Sequence, residues 1–274
     1  LASILGVTEE EQKELLPSGV APVFYNRTAW AKTYLKKAGL IDSPKQGFVK
    51  ISKRGLDVLK KKPSSINVKY LKQFSEFIEF QSVKKDDGEI VNDLNEDQII
   101  QTPEESLELA YQKIRKSLAS ELINKVSDLS PSFFEKLVVE LLVKMGYGGS
   151  IKDAGRAIGK SGDEGIDGTI KEDKLGLDII YIQAKKWKPG NVVGRPEIQK
   201  FVGALAGQGA KKGIFITTST FTKEAIEYTP KNETKIVLID GNQLAQLMID
   251  YNLGCTPQQI YEVKKIDNDY FSEE

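Results

Sequence analysis

The segment GDEGIDG, residues 162–168, is followed after a short loop by LDIIYIQAKKW, residues 177–187. Asp167 closes a glycine-rich turn and enters a segment with strand character, and the next strand carries Gln183 and Lys185 two positions apart. Side chains alternate along a strand, so Gln183 and Lys185 share one face while Ala184 points the other way. Paired as a hairpin, the two strands bring Asp167 beside that face. A carboxylate, an amide oxygen and a lysine at one spot supply what a hard divalent cation and a water nucleophile need. The segment therefore reads as a metal-dependent phosphodiesterase site. The same residues also fit an ordinary Asp-Gly turn beside an exposed strand. The apolar flanks Tyr181, Ile182 and Trp187 favour chemistry, because they predict a mostly buried strand. A lysine there needs a partner, and Asp167 is the obvious one.

Composition narrows the alternatives. Histidine is absent, which excludes Ser-His-Asp and Cys-His hydrolases and any histidine general base. The single cysteine, Cys255, excludes disulfides and thiolate zinc sites and reads as a small apolar residue near the last helix. Hydrolysis must then rest on carboxylates, lysine and a hard metal. With 274 residues, 40% apolar and 28% charged, the chain has room for two domains. No run approaches a membrane span and no signal peptide opens it, so a cytoplasmic protein with no membrane partner is expected. The chain opens on Leu1 rather than Met, which points to a fragment with part of its upstream region missing.

The net charge of zero conceals an asymmetry. Residues 25–72 hold 13 basic and 2 acidic residues, whereas residues 73–110 hold 2 basic and 11 acidic ones. A basic block of that size is a footprint for a polyanion, most simply nucleic acid, although a lysine-rich solvated surface would look similar.

The elements that must position these groups are legible in outline. Thr8 with Glu9, Glu10 and Glu11 begins one helix, and Asn26 is expected to cap a second, NRTAWAKTYLKKAG, ending at Gly39. Two short strands follow about Pro44–Gly47, and Ser52 caps a closing helix, KRGLDVLKK. Helices followed by a basic hairpin make an α+β winged helix-turn-helix domain, residues 1–82. Arg27, Lys32 and Lys36 would face DNA from the second helix, and Lys45 and Lys50 from the wing. Residues 83–101 read as an acidic flexible linker. The catalytic domain, 102–274, begins at the strong helix start Thr102-Pro103-Glu104-Glu105. Leu107, Tyr111, Ile114, Leu118 and Leu122 form a stripe there, for its own domain or for a partner helix. A helix from Ser130 follows, in which Glu135 and Glu140 could be plain surface charges. Strands about Ile151, 166–170 and 177–183 lead to alternating helices and strands: an α/β mixed sheet flanked by helices. No phosphate-binding glycine motif follows a strand.

Several blocks together carry a resemblance: FFEKLVVELLVKMGYGG, GKSGDEGIDGTIKEDKLGLD, YIQAKKW, GRPEIQKFVGAL, KGIFITTSTFTKEA and KIVLIDGNQLAQLM. They resemble the catalytic domain of the Mrr family of modification-dependent, type IV restriction endonucleases. RTAWAKTYLKKAGLI and ISKRGLDVL resemble the winged-helix domain that precedes it. The resemblance implies a PD-(D/E)xK nuclease fold in which glutamine replaces the acid of the (D/E)xK element. It implies Asp167, the Gln183 oxygen and the Ala184 carbonyl as ligands of Mg²⁺, with Mn²⁺ able to substitute. Lys185 becomes the residue that orients and helps deprotonate water, and Glu135 the helix glutamate at the edge of the site. Glu164 stands where the family usually has glycine; Asp163 and Glu164 become candidates for a second ion or for placing water.

The implied activity is a metal-dependent DNA endonuclease that cleaves methylated foreign double-stranded DNA in the prokaryotic cytoplasm, at the nucleoid. Cutting both strands takes two sites, so at least a homodimer on DNA is expected. The alternative is a DNA-binding regulator or sensor with a latent nuclease domain, which the neutral Gln183 makes plausible and Lys185 argues against.

Overall fold

Thr8 accepts from the backbone of Glu11, whose carboxylate accepts in return from the Thr8 N–H, a capping box that starts helix α2 (Glu9–Lys13) after the single turn α1 (Ala2–Leu5). The protein is described here from a computed structural model covering residues 1–45, 48–81, 101–148, 165–173, 175–188, 190–228, 234–267 and 270–271, with the backbone of 83–84 and 90–91. It divides into two compact units, Leu1–Lys113 and Ile114–Glu274.

In the first unit, α3 runs from Val23 to Lys37 and is entered from Pro22, not Asn26. The fixed φ of proline suits a helix start, and Asn26 instead lies a turn inside, accepting a hydrogen bond from the Thr102 hydroxyl at 2.7 Å. The expected hairpin is present as β1 (Ile41–Asp42) and β2 (Lys50–Ile51), antiparallel with Asp42 opposite Lys50. Ser52 caps α4 (Lys53–Lys60) through the Gly55 N–H. Gly55 must be glycine, since a Cβ there would lie 2.1 Å from the Leu40 carbonyl oxygen. Two helices that sequence periodicity did not reveal follow, α5 (Val68–Leu71) and α6 (Ser75–Gln81). They are too short for a 3.6-residue period to register, yet they supply Leu71 and Phe77 to a core with Ala38, Leu40 and Val58. Inside the acidic segment, β3 (Val83–Lys84) pairs antiparallel with β4 (Ile90–Val91).

Helix α7 (Pro103–Asp128) begins in the first unit and ends in the second, so the division falls within it rather than in the acidic segment. Leu107, Tyr111 and Ile114 are exposed, while Leu122 and Val126 are buried. The expected stripe is therefore a core face only in its last turns.

The second unit is built on a four-stranded sheet, in the order β10 (Lys235–Ile239), β8 (Lys212–Thr217), β6 (Ile179–Lys185), β5 (Gly168–Lys171). The first three strands are parallel and β5 is antiparallel to β6. Alternation along β6 and β8 sorts the core into two layers. Ile180, Ile182, Ile214 and Ile216 pack with α8 (Pro131–Lys144), the end of α7 and α11 (Gly241–Asp250). Phe215 packs with Phe201 and Leu205 of α9 (Arg195–Gly207) and with Ala225 of α10 (Lys223–Glu227). A two-residue parallel pair, β7 (Val192–Val193) and β9 (Thr220–Phe221), flanks this second layer. The result is the expected mixed α/β sheet with helices on both faces; the strand expected about Ile151 lies outside the described residues. Among the described residues no helix is long and apolar enough to cross a membrane.

Phe215 is fully buried, 5.6 Å from the Phe201 ring and in register with Gln183. Phe215→Ala is expected to lower the unfolding free energy by about 3–5 kcal/mol through lost burial and the cavity left behind. Urea unfolding followed by fluorescence checks this.

Candidate active site

Strand β5 leaves β6 at a defined point. The Asp167 N–H donates to the Ile182 carbonyl at 2.9 Å, and Gly168 pairs with Ile182. Beyond it the chain turns away through Gly165, whose φ of +102° suits glycine. The partner that the Ala184 N–H would have found on β5 is replaced by a side chain: Asp167 Oδ2 accepts from it at 2.7 Å. The carboxylate is thus held in the position of a ladder acceptor, facing the strand that carries the glutamine and the lysine. Gly165 has a second constraint, since a Cβ there would come within 3.2 Å of Gln183 Nε2.

Gln183 is 4% exposed, and its Oε1 has no hydrogen-bond partner among the described residues. A buried amide oxygen without a donor is an acceptor that protein groups have left for something else. Asp167 is held above the usual carboxylate range, first by burial; the Ala184 N–H bond and the Lys185 charge oppose the rise. Glu135, one helical residue after the buried Phe134 of α8, is also raised, by burial and then by the like charge of Asp167. Glu135 and Asp167 therefore sit close enough to feel one another. Glu140 is exposed, consistent with a surface charge.

The expected contact ion pair between Lys185 and Asp167 is not formed. Among the described residues the two make no salt bridge, and the Lys185 charge acts on Asp167 through space. The physical reason is that Asp167 is turned toward the Ala184 backbone. The adjacent Lys186 points to the opposite face, where its ammonium donates to the Ser127 carbonyl at the end of α7 at 2.7 Å. The lysine doublet thus divides into one residue at the site and one closing a helix C-terminus. Asp163 and Glu164 lie outside the described residues. Among the described residues no three acidic, histidine or cysteine side chains cluster to hold an ion, so the oxygen donors at hand are Asp167, Gln183 and the local backbone. Oxygen donors without nitrogen or sulfur suit a hard divalent cation.

The basic residues expected to meet DNA separate into two groups. Lys32, Lys36, Lys45 and Lys50 are exposed, with the Lys45 ammonium 4.3 Å from the centre of the exposed Phe48 ring. Arg27 is engaged otherwise: its guanidinium pairs with the buried Glu105 at 2.7 Å. Trp30, on the same side, donates to Glu104. At 100° per residue, Arg27 lies about 140–180° around α3 from Lys32 and Lys36. Its side chain stays 58% exposed, but its guanidinium is tied to Glu105 rather than left free beside those lysines. Sequence gave no sign of this, because its partner is 78 positions away.

Because the raised Asp167 carboxyl costs stability only when ionised, Asp167→Asn should stabilise the metal-free protein near pH 7.5. The native carboxyl titrates above its unfolded value, so the gain should shrink as pH falls through the native value and vanish below about 4. Chemical denaturation at both pH values in a chelator measures it.

The sequence matches two family models, one described as a restriction endonuclease (Mrr_cat) over residues 126–248 and one as the Mrr N-terminal domain over residues 1–61. It is 37% identical over 278 aligned positions to the type IV methyl-directed restriction enzyme EcoKMrr of Escherichia coli K12, covering 98% of this chain and 89% of that one. Among solved structures, the MspJI restriction endonuclease in complex with a 27-mer oligonucleotide is similar with a TM-score of 0.36 and 20% identity, over 60% of this chain and 36% of that one. The modification-dependent restriction endonuclease AspBHI gives 0.37 and 17%, over 59% and 39%. The chain thus spans well under half the length of these two. With both family models in order and the relationship extending over nearly its whole length, the chain belongs to the Mrr family of restriction endonucleases, nucleases that bind and cut DNA.

Proposed function

We propose that this enzyme hydrolyses phosphodiester bonds of methylated foreign double-stranded DNA, with Mg²⁺ as its natural ion and Mn²⁺ able to replace it. The observation that carries the reading is the buried, unpartnered Gln183 Oε1 beside Asp167, with Lys185 two residues on along the same strand. The methyl-directed activity in the name of the E. coli relative supports the choice of substrate.

In this reading Asp167, Gln183 Oε1 and the Ala184 carbonyl hold the ion. When bound, it supplies Lewis acidity toward the phosphate and a lowered pKa for water. Lys185 orients the attacking water, helps to deprotonate it, and then stabilises the charge that builds on the phosphorane oxygens. Glu135 adds a carboxylate at the edge, where it can bond water. Burial around Asp167 and Gln183 keeps the site poor in solvent, which strengthens each of these interactions. Two copies act together on DNA, one for each strand, in the prokaryotic cytoplasm and at the nucleoid. The amino-terminal region, 1–82, binds DNA through the outer face of α3 and the hairpin, and 102–274 cuts it.

Plasmid cleavage tests the chemistry. With Mg²⁺ or Mn²⁺, methylated plasmid should be cut and unmethylated plasmid spared, and Asp167→Ala and Lys185→Ala should each lower the rate by at least about 10³-fold. Persistent cutting in either variant would sink the assignment of that residue. No cutting by wild type, with DNA binding intact, would favour a latent sensor.

Binding tests the other half. Lys32→Ala and Lys36→Ala should each reduce the slope of log affinity against log salt by about 1, across all sequences. Arg27→Ala should leave that slope unchanged and lower thermal stability instead, because it unpairs the buried Glu105. Fluorescence anisotropy across a salt series distinguishes the two.

A further inference from the structure

The motif TTS, residues 217–219, closes β8 and has no part in the site described above, yet all three side chains are buried, Thr217 completely. Three hydroxyls at the end of an apolar strand need partners, and each finds a carbonyl on the chain that leaves β6. Thr217 Oγ1 donates to the Lys185 carbonyl at 2.8 Å and accepts from the Ser219 N–H at 3.2 Å. Thr218 Oγ1 donates to the Trp187 carbonyl at 2.7 Å and accepts from the Trp187 N–H at 2.9 Å. The Ser219 hydroxyl donates to the Asn191 carbonyl. The regular parallel pairing of β6 with β8 ends at Lys185 opposite Thr217. Beyond it the Thr218 N–H still reaches the Lys185 carbonyl at 3.4 Å, and side chains supply the closer bonds. The motif is itself anchored: the Gly241 N–H donates to the Ser219 carbonyl at 2.7 Å, and a Cβ on Gly241 would lie 2.5 Å from the Thr218 carbonyl oxygen.

Lys185 is the last residue of β6, and among the described residues its ammonium closes no ion pair. No ion pair among the described residues fixes its charged end, so its aim depends on the backbone from which it projects. We propose that Thr217 is a positioning residue for phosphodiester cleavage: its hydroxyl pins the Lys185 carbonyl and so sets the direction of the Lys185 side chain toward the phosphate. The inference rests on the reading of Lys185 as the catalytic lysine. It needs the hydroxyl and not merely the volume: valine would fill the same space and leave the carbonyl only the longer 3.4 Å bond from the Thr218 N–H.

The test is single-turnover cleavage of methylated plasmid with Mg²⁺ by the full chain carrying Thr217→Val, Thr217→Ser or Thr217→Ala, with Lys185→Ala alongside. Thr217→Val should lower the cleavage rate at saturating DNA by about 10- to 100-fold, the scale of a misplacement near 1 Å. The DNA concentration at half-maximal rate should stay the same, because the contact lies under the chemistry and not on the binding face. Thr217→Ser should recover most of the rate. Should valine not fold, the serine and alanine variants carry the question, since both lack the methyl group and differ only in the hydroxyl. Serine cutting faster than alanine at equal thermal midpoint supports the proposal; equal rates overturn it. Wild-type rate in Thr217→Val beside an inactive Lys185→Ala would overturn the role of Thr217 alone. Undiminished cutting by Lys185→Ala would overturn the reading of Lys185, and this inference with it.

Discussion

A buried amide oxygen with no donor costs on the order of 1–3 kcal/mol, and Gln183 Oε1 is such an atom among the described residues. The cost is met by burial elsewhere: Gln183 lies on β6 opposite Phe215, and the Phe201–Phe215 pair fills the layer beneath. On one side Gly165 passes so close to the amide that no larger residue would fit without displacement. On the other, Asp167 is locked to the Ala184 backbone, so the carboxylate cannot swing round to relieve the lysine. Each group at the site is thereby kept from satisfying its neighbour. A preorganised set of oxygen donors requires this, because side chains already bonded to one another would have to separate before they could bind anything else.

The topology makes this economical. An antiparallel edge strand beside a parallel one lets the pairing of β5 begin at Gly168, just past Asp167, so that a single side chain can take the place of a main-chain acceptor. On the other edge of β6 side chains act again, with Thr217 and Thr218 supplying the closer bonds as the strand ends. Strand β6 is therefore held by side chains on both edges, by Asp167 at Ala184 and by Thr217 at Lys185, beside Gln183. Helix α8 contributes from the other layer, where six buried residues between Phe134 and Leu142 fix the turn that carries Glu135.

How much of this was legible in the sequence follows from the range of the interactions. Asp167, Gln183 and Lys185 could be picked out because a two-residue period and a glycine-rich turn are local signals. The opposite directions of Lys185 and Lys186 follow from the same period, but the Ser127 carbonyl that receives Lys186 is 59 positions away. The Arg27 pairing was hidden for the same reason: composition groups it with the lysines expected to face DNA, and only the fold brings Glu105 to it. Asn26 carried the chemistry of a helix cap, yet Pro22 starts the helix four residues earlier and frees Asn26 to bond Thr102. Helices α5 and α6 fell below the length at which periodicity speaks. The missing contact between Lys185 and Asp167 could not be foreseen, since it depends on which of two available donors the carboxylate chooses.

The choice of glutamine over an acid at position 183 follows from the charges already present. Asp167 and Glu135 are both raised by burial, and Glu135 further by the charge of Asp167. A third carboxylate in the fully buried position of Gln183 would add repulsion to both, and at 4% exposure it would find little water to offset that. The neutral amide keeps an oxygen aimed into the site at no such cost. In exchange it contributes less negative charge, so the free enzyme should hold a divalent ion weakly and complete its coordination only when phosphate oxygens arrive. On the proposed reading, loading that waits for DNA would restrain stray hydrolysis, and that restraint would follow from one uncharged side chain between two acids raised by burial.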